Sequence, residues 1–216
     1  MTTSELAAKQ RPANQGHRWF AARYDAIIRP GERKLFSKVR PRLVGDLSGS
    51  VLEVGAGTGL NFAYYPGAAR VIATEPDPFM RQRAEDRIPS AAAKLELHDA
   101  NAEELPFDDA SFDHVVATLV FCTVPDARRG FSEIRRVLKP DGTFRFLEHV
   151  RNDDSRIVGV MQDMLAPAWR WFGAGCNPNR RTQPALLDAG FRFELIERAS
   201  TGWGMPAIYG VARPNI

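Results

Sequence analysis

An α/β fold with a mostly parallel sheet is the architecture this sequence predicts, and three observations predict it. Strand-like and helix-like segments alternate through the middle of the chain, the pattern of crossover units on a parallel sheet. A glycine-rich turn, within VLEVGAGTGL at residues 51–60, follows a short apolar strand that ends in an acid and leads into a helix. The chain has 216 residues, of which 44% are hydrophobic, enough for one sizeable core.

Taken in order, HRWFAARYDAIIRP (17–30) reads as a helix whose broad apolar face holds Trp19, Phe20, Tyr24, Ile27 and Ile28, ended by Pro30. A second helix follows over 31–44. Strands are expected at 50–54, 70–74, 94–98, 113–118 and 142–149, each an apolar run between turn signals. Between them come a short helix at 60–65 and longer ones at 78–87 and 127–137. LKPDG, at 138–142, is read as a helix stop and a turn. The alternation then gives way to a long amphipathic stretch at 155–172, a polar loop GAGCNPNRRT and a helix at 183–189. Segments 191–198 and 205–213 have strand character and bring the strands to seven. The first sixteen residues are polar and read as a disordered tail, which leaves 17–216 as a single domain.

Composition excludes several classes. Lysine and arginine number 29 against 26 acids, so a net charge of +3 with dispersed basic residues calls for no nucleic-acid partner. Cys122 and Cys176 lie 54 positions apart without a C-x-x-C or Cys/His spacing, so no metal site and no disulfide framework is indicated. A reducing cytoplasm is the expected setting. The most apolar run, 115–124, is far shorter than the roughly 20 residues that span a bilayer, so no transmembrane segment is expected.

Gly55, Gly57 and Gly59 remove side chains where the backbone turns sharply and approaches a ligand, which reads as a nucleotide-cofactor cradle. A dinucleotide fingerprint needs its third glycine at position 60, where Leu60 stands, and this weakens a nicotinamide oxidoreductase reading. Glu75, in ATEPD, lies about twenty residues beyond the turn, where a carboxylate accepts hydrogen bonds from both ribose hydroxyls. Asp77 before Pro78 has the form of an N-cap. Glu53, an acid in a buried strand, needs a partner, either a cofactor ammonium or backbone amides.

The E-x-G-x-G-x-G pattern at 53–59 resembles motif I of class I methyltransferases that use S-adenosylmethionine, and NAEELPF resembles their D-A-E-x-L-P-F segment. The resemblance runs from His17 onward. It implies a Rossmann-like seven-stranded sheet with the last strand antiparallel, helices on both faces and an N-terminal helical lid. Residues 17–45 would be the helical cap, 50–150 the cofactor-binding core and 151–216 the acceptor-side cap and final strands. The implied cofactor contacts are Tyr24, Glu53, Gly55, Ala56, Gly57, Thr58, Gly59, Asn61, Glu75 and Pro76 around the cradle. Asn101, Ala102 and Glu103 would address the adenine, and Thr118, Leu119 and Phe121 would lie beneath the methionine. Trp19, Phe20 and Tyr24 would close the cofactor side as a lid.

Later segments narrow the resemblance. TLVFCTV, RVLKPDGTFRFLEHV, QDMLAPAW, GCNPNR and AIYGVA look like the methyltransferase-like group that includes membrane-bound alkyl-thiol methyltransferases of animals and bacterial enzymes acting on dithiol natural products. The hydrophobic N-terminal anchor of the animal proteins has no counterpart, and Ala166 stands where they carry an acid. The implied acceptor is a small hydrophobic thiol; oxygen, nitrogen, quinone and lipid acceptors are rivals, as is a cofactor-binding protein without catalysis. A thiol with a pKa of about 8.5 is only partly ionised at neutral pH, so a cation or base beside it would help. His149 and Glu148 close the fifth strand, whose carboxyl end faces the ligand crevice, and His149 is the first candidate for base or acceptor-orienting group. Arg180 matches the thiol-methylating group and would hold a thiolate or an anionic substrate. The stripe Met161, Met164, Leu165, Trp169 and Phe172, with Pro167 as a kink, reads as a cap over the acceptor pocket, as plain core, or as a face for peripheral membrane contact.

Overall fold

The computed structural model describes residues 17–173, 175–200 and 205–215; the tail expected at 1–16 lies outside them. Seven strands form one sheet in the order β3-β2-β1-β4-β5-β7-β6. They are β1 (Gly49–Val54), β2 (Ala69–Thr74), β3 (Lys94–His98), β4 (Phe112–Thr118), β5 (Leu138–His149), β6 (Phe191–Ser200) and β7 (Pro206–Pro214). β1 to β5 pair in parallel, and β7 runs antiparallel to both β5 and β6. Among the described residues six α-helices accompany them: α1 (Arg18–Gly31), α2 (Ser37–Val44), α3 (Pro78–Glu85), α4 (Ala127–Val137), α5 (Arg156–Phe172) and α6 (Thr182–Asp188).

Strand alternation divides the core in two. Leu52, Val54, Val115, Ala117, Phe144 and Phe146 point to one face and pack with Phe131 and Ile134 of α4 and Leu186 of α6. Val51, Val71, Ala73, Val116 and Leu147 point to the other and meet Val39, Leu43 and Val44 of α2 and Ala84 of α3. Both sheet faces are therefore covered, as buried parallel strands require.

Five expectations change. Pro30 does not end the first helix: α1 runs on through a π-helical turn, Glu32–Phe36, into α2. Proline's fixed φ of about −65° is itself helical, so the chain can keep its helical path through Pro30. The face expected of α1 splits, with Ala21 buried and Trp19 60% exposed, the Arg23 guanidinium lying over its ring at 4.9 Å. The helix expected at 60–65 is a single 3₁₀ turn, Phe62–Tyr64. LKPDG does stop a helix, since α4 ends at Val137, but no separate turn follows: β5 already begins at Leu138, and residues 139–142 bulge out before Thr143 rejoins His114 of β4.

The fifth correction concerns α5. Its inward residues are the small or polar Gly159, Gln162 and Ala166. Of the expected stripe, Met161, Met164, Leu165 and Trp169 face outward, Met164 at 75% and Trp169 at 42% exposure, so these four are not core; the side chain of Phe172 lies outside the described residues. Among the described residues no helix is long and apolar enough to cross a membrane.

Candidate active site

The turn between β1 and the 3₁₀ segment owes its shape to glycine. Gly55, Gly57 and Gly59 all have left-handed φ, at +66°, +59° and +79°. A Cβ on Gly55 would stand 2.7 Å from Val120, and one on Gly59 would stand 2.8 Å from Phe62, whereas one on Gly57 meets nothing within 4 Å. The first and third glycines therefore serve packing, and the middle one faces open space.

Glu75 leaves the end of β2 and turns back beneath that opening. Its Oε2 accepts from the Gly57 N–H at 2.8 Å and its Oε1 from the Asp77 N–H at 2.9 Å. The group is buried, and burial pushes its pKa up to about 7 against those two amides. Asp77 caps α3 as expected, its Oδ1 accepting from the Phe79 and Met80 N–H groups. Its Oδ2 also accepts from His17 N at 2.8 Å, fastening the start of α1. A second clasp holds α1 over the turn: Asp25 accepts from the Thr58 hydroxyl at 2.7 Å and from Arg87 at 2.5 Å, and Arg87 also donates to the Thr58 carbonyl. Tyr24, next to Asp25, has its hydroxyl pKa raised by burial and senses Arg40, Cys122 and Glu75.

Beneath the turn lies a buried polar network. Arg40, 3% exposed, donates to Asn61 Oδ1 at 2.7 Å, to Thr118 Oγ1 at 3.2 Å and to Glu32 at 2.7 Å. Asn61 Nδ2 donates to Glu53 Oε1 at 2.9 Å and to Thr118 Oγ1 at 3.0 Å. Burial raises the Glu53 pKa to about 7 against the pull of Tyr65 and Asn61, and its Oε2 lacks a hydrogen-bond partner among the described residues. Arg40 and Glu32 were missed in the sequence reading. The signal was present, since Arg40 interrupts the apolar stripe of Phe36, Val39, Leu43 and Val44, and a charge in such a stripe needs a buried partner.

At the ends of β4 and β5 the chain makes a second turn. Leu119 takes a left-handed φ of +61°, unusual for a leucine, with its N–H donating to Leu147 O at 2.7 Å. The next two N–H groups, of Val120 and Phe121, both donate to Glu148 Oε1 at 3.0 Å. Glu148 is fully buried and its pKa is pushed up to about 8. His149 follows, half-buried, with Phe36 edge-on at 5.7 Å. The sulfurs of Cys122 and Cys176 and a ring nitrogen of His149 lie within 4.8 Å of one another, a meeting that sequence spacing gave no sign of. The Cys122 thiol is raised by its hydrogen bond to Cys176 and by burial, and Cys176 is lowered by that bond and by His149.

The remaining expected residues scatter around this centre. Asn101 is exposed and Ala102 buried, in a short turn closed by Glu104 N to Asn101 O at 3.2 Å, while Glu103 Oε1 accepts from Asp126 N at 2.8 Å at the cap of α4. Ala56 is buried and Pro76 half-buried beside the cradle. Arg180 is half-buried and lines a cavity of about 190 Å³ with Arg151, Arg181 and Arg198, whose lining includes neither the glycine turn nor the two cysteines. Asp163 is taken up by Arg151 at 2.9 Å and Asn179 at 2.9 Å.

A family model described as a methyltransferase domain matches residues 52–146, which hold the cradle, Glu75 and the strands that carry them. Human thiol S-methyltransferase TMT1A is 34% identical over 202 residues, 89% of this chain and 82% of that protein. The chain belongs to this methyltransferase family. S-adenosylmethionine is the methyl donor, and the site fits it: Gly57 opens onto free space, Glu75 offers a carboxylate at its edge, and Glu53 keeps one oxygen unmatched below. Phosphatidylethanolamine N-methyltransferase of Cereibacter sphaeroides is also similar, 33% identical over 52% of this chain and 56% of that protein. A solved structure of a Bacillus halodurans protein described as a putative methyltransferase shares the fold, with a TM-score of 0.68 at 16% identity over 83% of this chain and 98% of that one.

Proposed function

We propose that this methyltransferase acts on the sulfur of a small hydrophobic thiol. The observation that carries the reading is the position of His149, half-buried at the carboxyl end of β5 against Cys122 and Cys176 and one residue from the buried Glu148. The similarity to TMT1A, a thiol S-methyltransferase by name, supports it. Bound S-adenosylmethionine supplies an electrophilic methyl group on a sulfonium.

The protein's part is alignment and exclusion of water. Glu75 holds the ribose hydroxyls, and the amides of the 55–59 turn bring the backbone close. Asn101, Ala102 and Glu103 border the adenine, and the Thr118 to Phe121 turn carries the methionine end. Glu53, Asn61 and Arg40 act as positioning residues that fix the floor of this cradle. Tyr24, clamped through its neighbour Asp25, closes the cofactor side. His149 receives the acceptor, and Arg180 adds positive charge on the flank.

An amine headgroup is the second reading, favoured by the Cereibacter relative. Mass spectrometry of demethylated cofactor and methylated product, with thiol, phenol and amine versions of one aromatic scaffold, separates the two. Turnover confined to the thiol is expected; turnover of the amine or phenol with the thiol inert overturns the assignment.

A further inference from the structure

Cys122, His149 and Cys176 come from three separate stretches of chain, the turn after β4, the end of β5 and the loop between α5 and α6. Their donor atoms lie within 4.8 Å of one another. Ligand atoms around a tetrahedral zinc ion, with bonds of about 2.0–2.3 Å, stand roughly 3.4–3.8 Å apart. Closing on an ion therefore asks for movements of about an ångström.

The backbone already holds the three segments together. Asn177 donates twice to the Cys122 carbonyl, from its N–H at 2.7 Å and from Nδ2 at 3.1 Å. Arg151 N donates to Arg180 O at 3.0 Å, tying the residues after β5 to the loop that carries Cys176. Beside the cluster, Glu148 is wholly buried. Its Oε1 is held by the two N–H groups preceding Cys122, and its Oε2 lacks a hydrogen-bond partner among the described residues. Two thiol sulfurs and an imidazole nitrogen in one place are donors that a soft divalent cation would draw together, the thiols giving up their protons as it binds.

We propose that Cys122, His149 and Cys176 form a binding site for a soft transition-metal ion, with Zn²⁺ the leading candidate. Two thiolates and one imidazole suit zinc and disfavour the oxygen-seeking Mg²⁺ and Ca²⁺. Three protein ligands leave the fourth tetrahedral position open, the arrangement of catalytic rather than structural zinc sites. Resting on the thiol reading above, the open position takes the acceptor sulfur: the metal–sulfur bond forms, the thiol proton leaves to solvent, and the bound thiolate attacks the methyl carbon as the sulfonium C–S bond breaks. His149 then acts as a ligand rather than as a base.

The test uses the whole chain, purified under reducing conditions, stripped of metal and titrated with Co²⁺. One equivalent should bind with the near-ultraviolet thiolate-to-cobalt band and the intense visible bands of a tetrahedral site. Cys122→Ser and Cys176→Ser should each weaken the charge-transfer band, and the double variant should lose it while circular dichroism shows the fold retained. Should buried Cys122→Ser fail to fold, Cys176→Ala and His149→Ala carry the test. Absence of a one-to-one cobalt–thiolate band in the wild type overturns the site, as does a band that survives in the double variant or a Cys122–Cys176 disulfide recovered from the reduced preparation. Adding an alkyl thiol to the cobalt form should shift the bands, whereas a matched amine should not. A cobalt spectrum indifferent to thiol removes the acceptor step and leaves the metal site standing, and a shifted spectrum without thiol turnover overturns the functional reading instead.

Discussion

Gly55 and Gly57 sit two residues apart with the same backbone hand, yet they should fail differently when substituted. Alanine at either incurs the left-handed penalty of about 1–2 kcal/mol. At 55 it also drives a methyl group into Val120, for a total of about 2–5 kcal/mol. Gly57→Ala should keep the fold, since a methyl group there meets nothing within 4 Å, and on the proposed placing of the cofactor over this turn it should lose cofactor affinity at least about tenfold, roughly 1.4 kcal/mol. Urea melts beside calorimetric titration separate the two; equal effects on stability would contradict the division of labour. Glu75 gives a pH signature. Its pKa stands at about 7 in the free protein, and ribose hydroxyls donate better to the carboxylate than to the acid. Binding should expel a proton, so affinity for S-adenosylmethionine should rise with pH up to about 7 and then level off. Titration in buffers of different ionisation heat reads that proton, and Glu75→Gln should reduce both the pH slope and the affinity.

At the scale of the element, strands were easy to read and helix orientation was not. β1 and β4 show as mostly apolar runs beside Gly and Asp, and a strand buried on both faces has no orientation left to guess, whereas β3, KLELH at the sheet edge, is only partly buried. The spacing of α5 puts Met161, Met164 and Leu165 on neighbouring positions, but periodicity tells which residues share a face and not which way the face looks. Gly159, Gln162 and Ala166 turned out to be the inward side. Met161→Ser and Met164→Ser should therefore leave the unfolding midpoint almost unmoved, within about 0.5 kcal/mol. A large loss of stability would mean that α5 packs the other way round. Arg40 argues the opposite case in α2. Arg40→Met leaves Glu32, Asn61 and Thr118 without their donor, and should cost about 3 kcal/mol, the lower end for a broken buried pair because Glu32 is partly exposed. Guanidinium unfolding measures it, and a cost near zero would mean that the network is worth no more than apolar packing. The cradle was legible because glycine spacing is local, whereas the Cys122, His149 and Cys176 cluster depends on the sheet bringing three distant segments to one edge.

For the molecule as a whole, the buried carboxylates set a pH trend. Burial raises Glu53 and Glu75 from an ordinary 4.5 to about 7 in the folded protein. Between those values the folded state holds protons that the unfolded chain has released. Their contribution to stability is complete below about 4.5 and drains away as pH rises to about 7. The ligand-free wild type should therefore lose more stability between pH 5.5 and 7.5 than the double variant Glu53→Gln/Glu75→Gln, as judged by urea midpoints at each pH. A steeper fall in the double variant would contradict it.

The place of β7 in the sheet carries a consequence for how the protein is made. β7 is translated after β6 but lies between β5 and β6, so β6 has no neighbour in the sheet until β7 has emerged. While the ribosome still holds the last segment, β5 presents an open edge and β6 hangs as an unpaired ribbon. The nascent chain can pair β1 to β5 early, since they need nothing downstream, whereas the β7-β6 edge of the sheet must wait for the final strand to be threaded home.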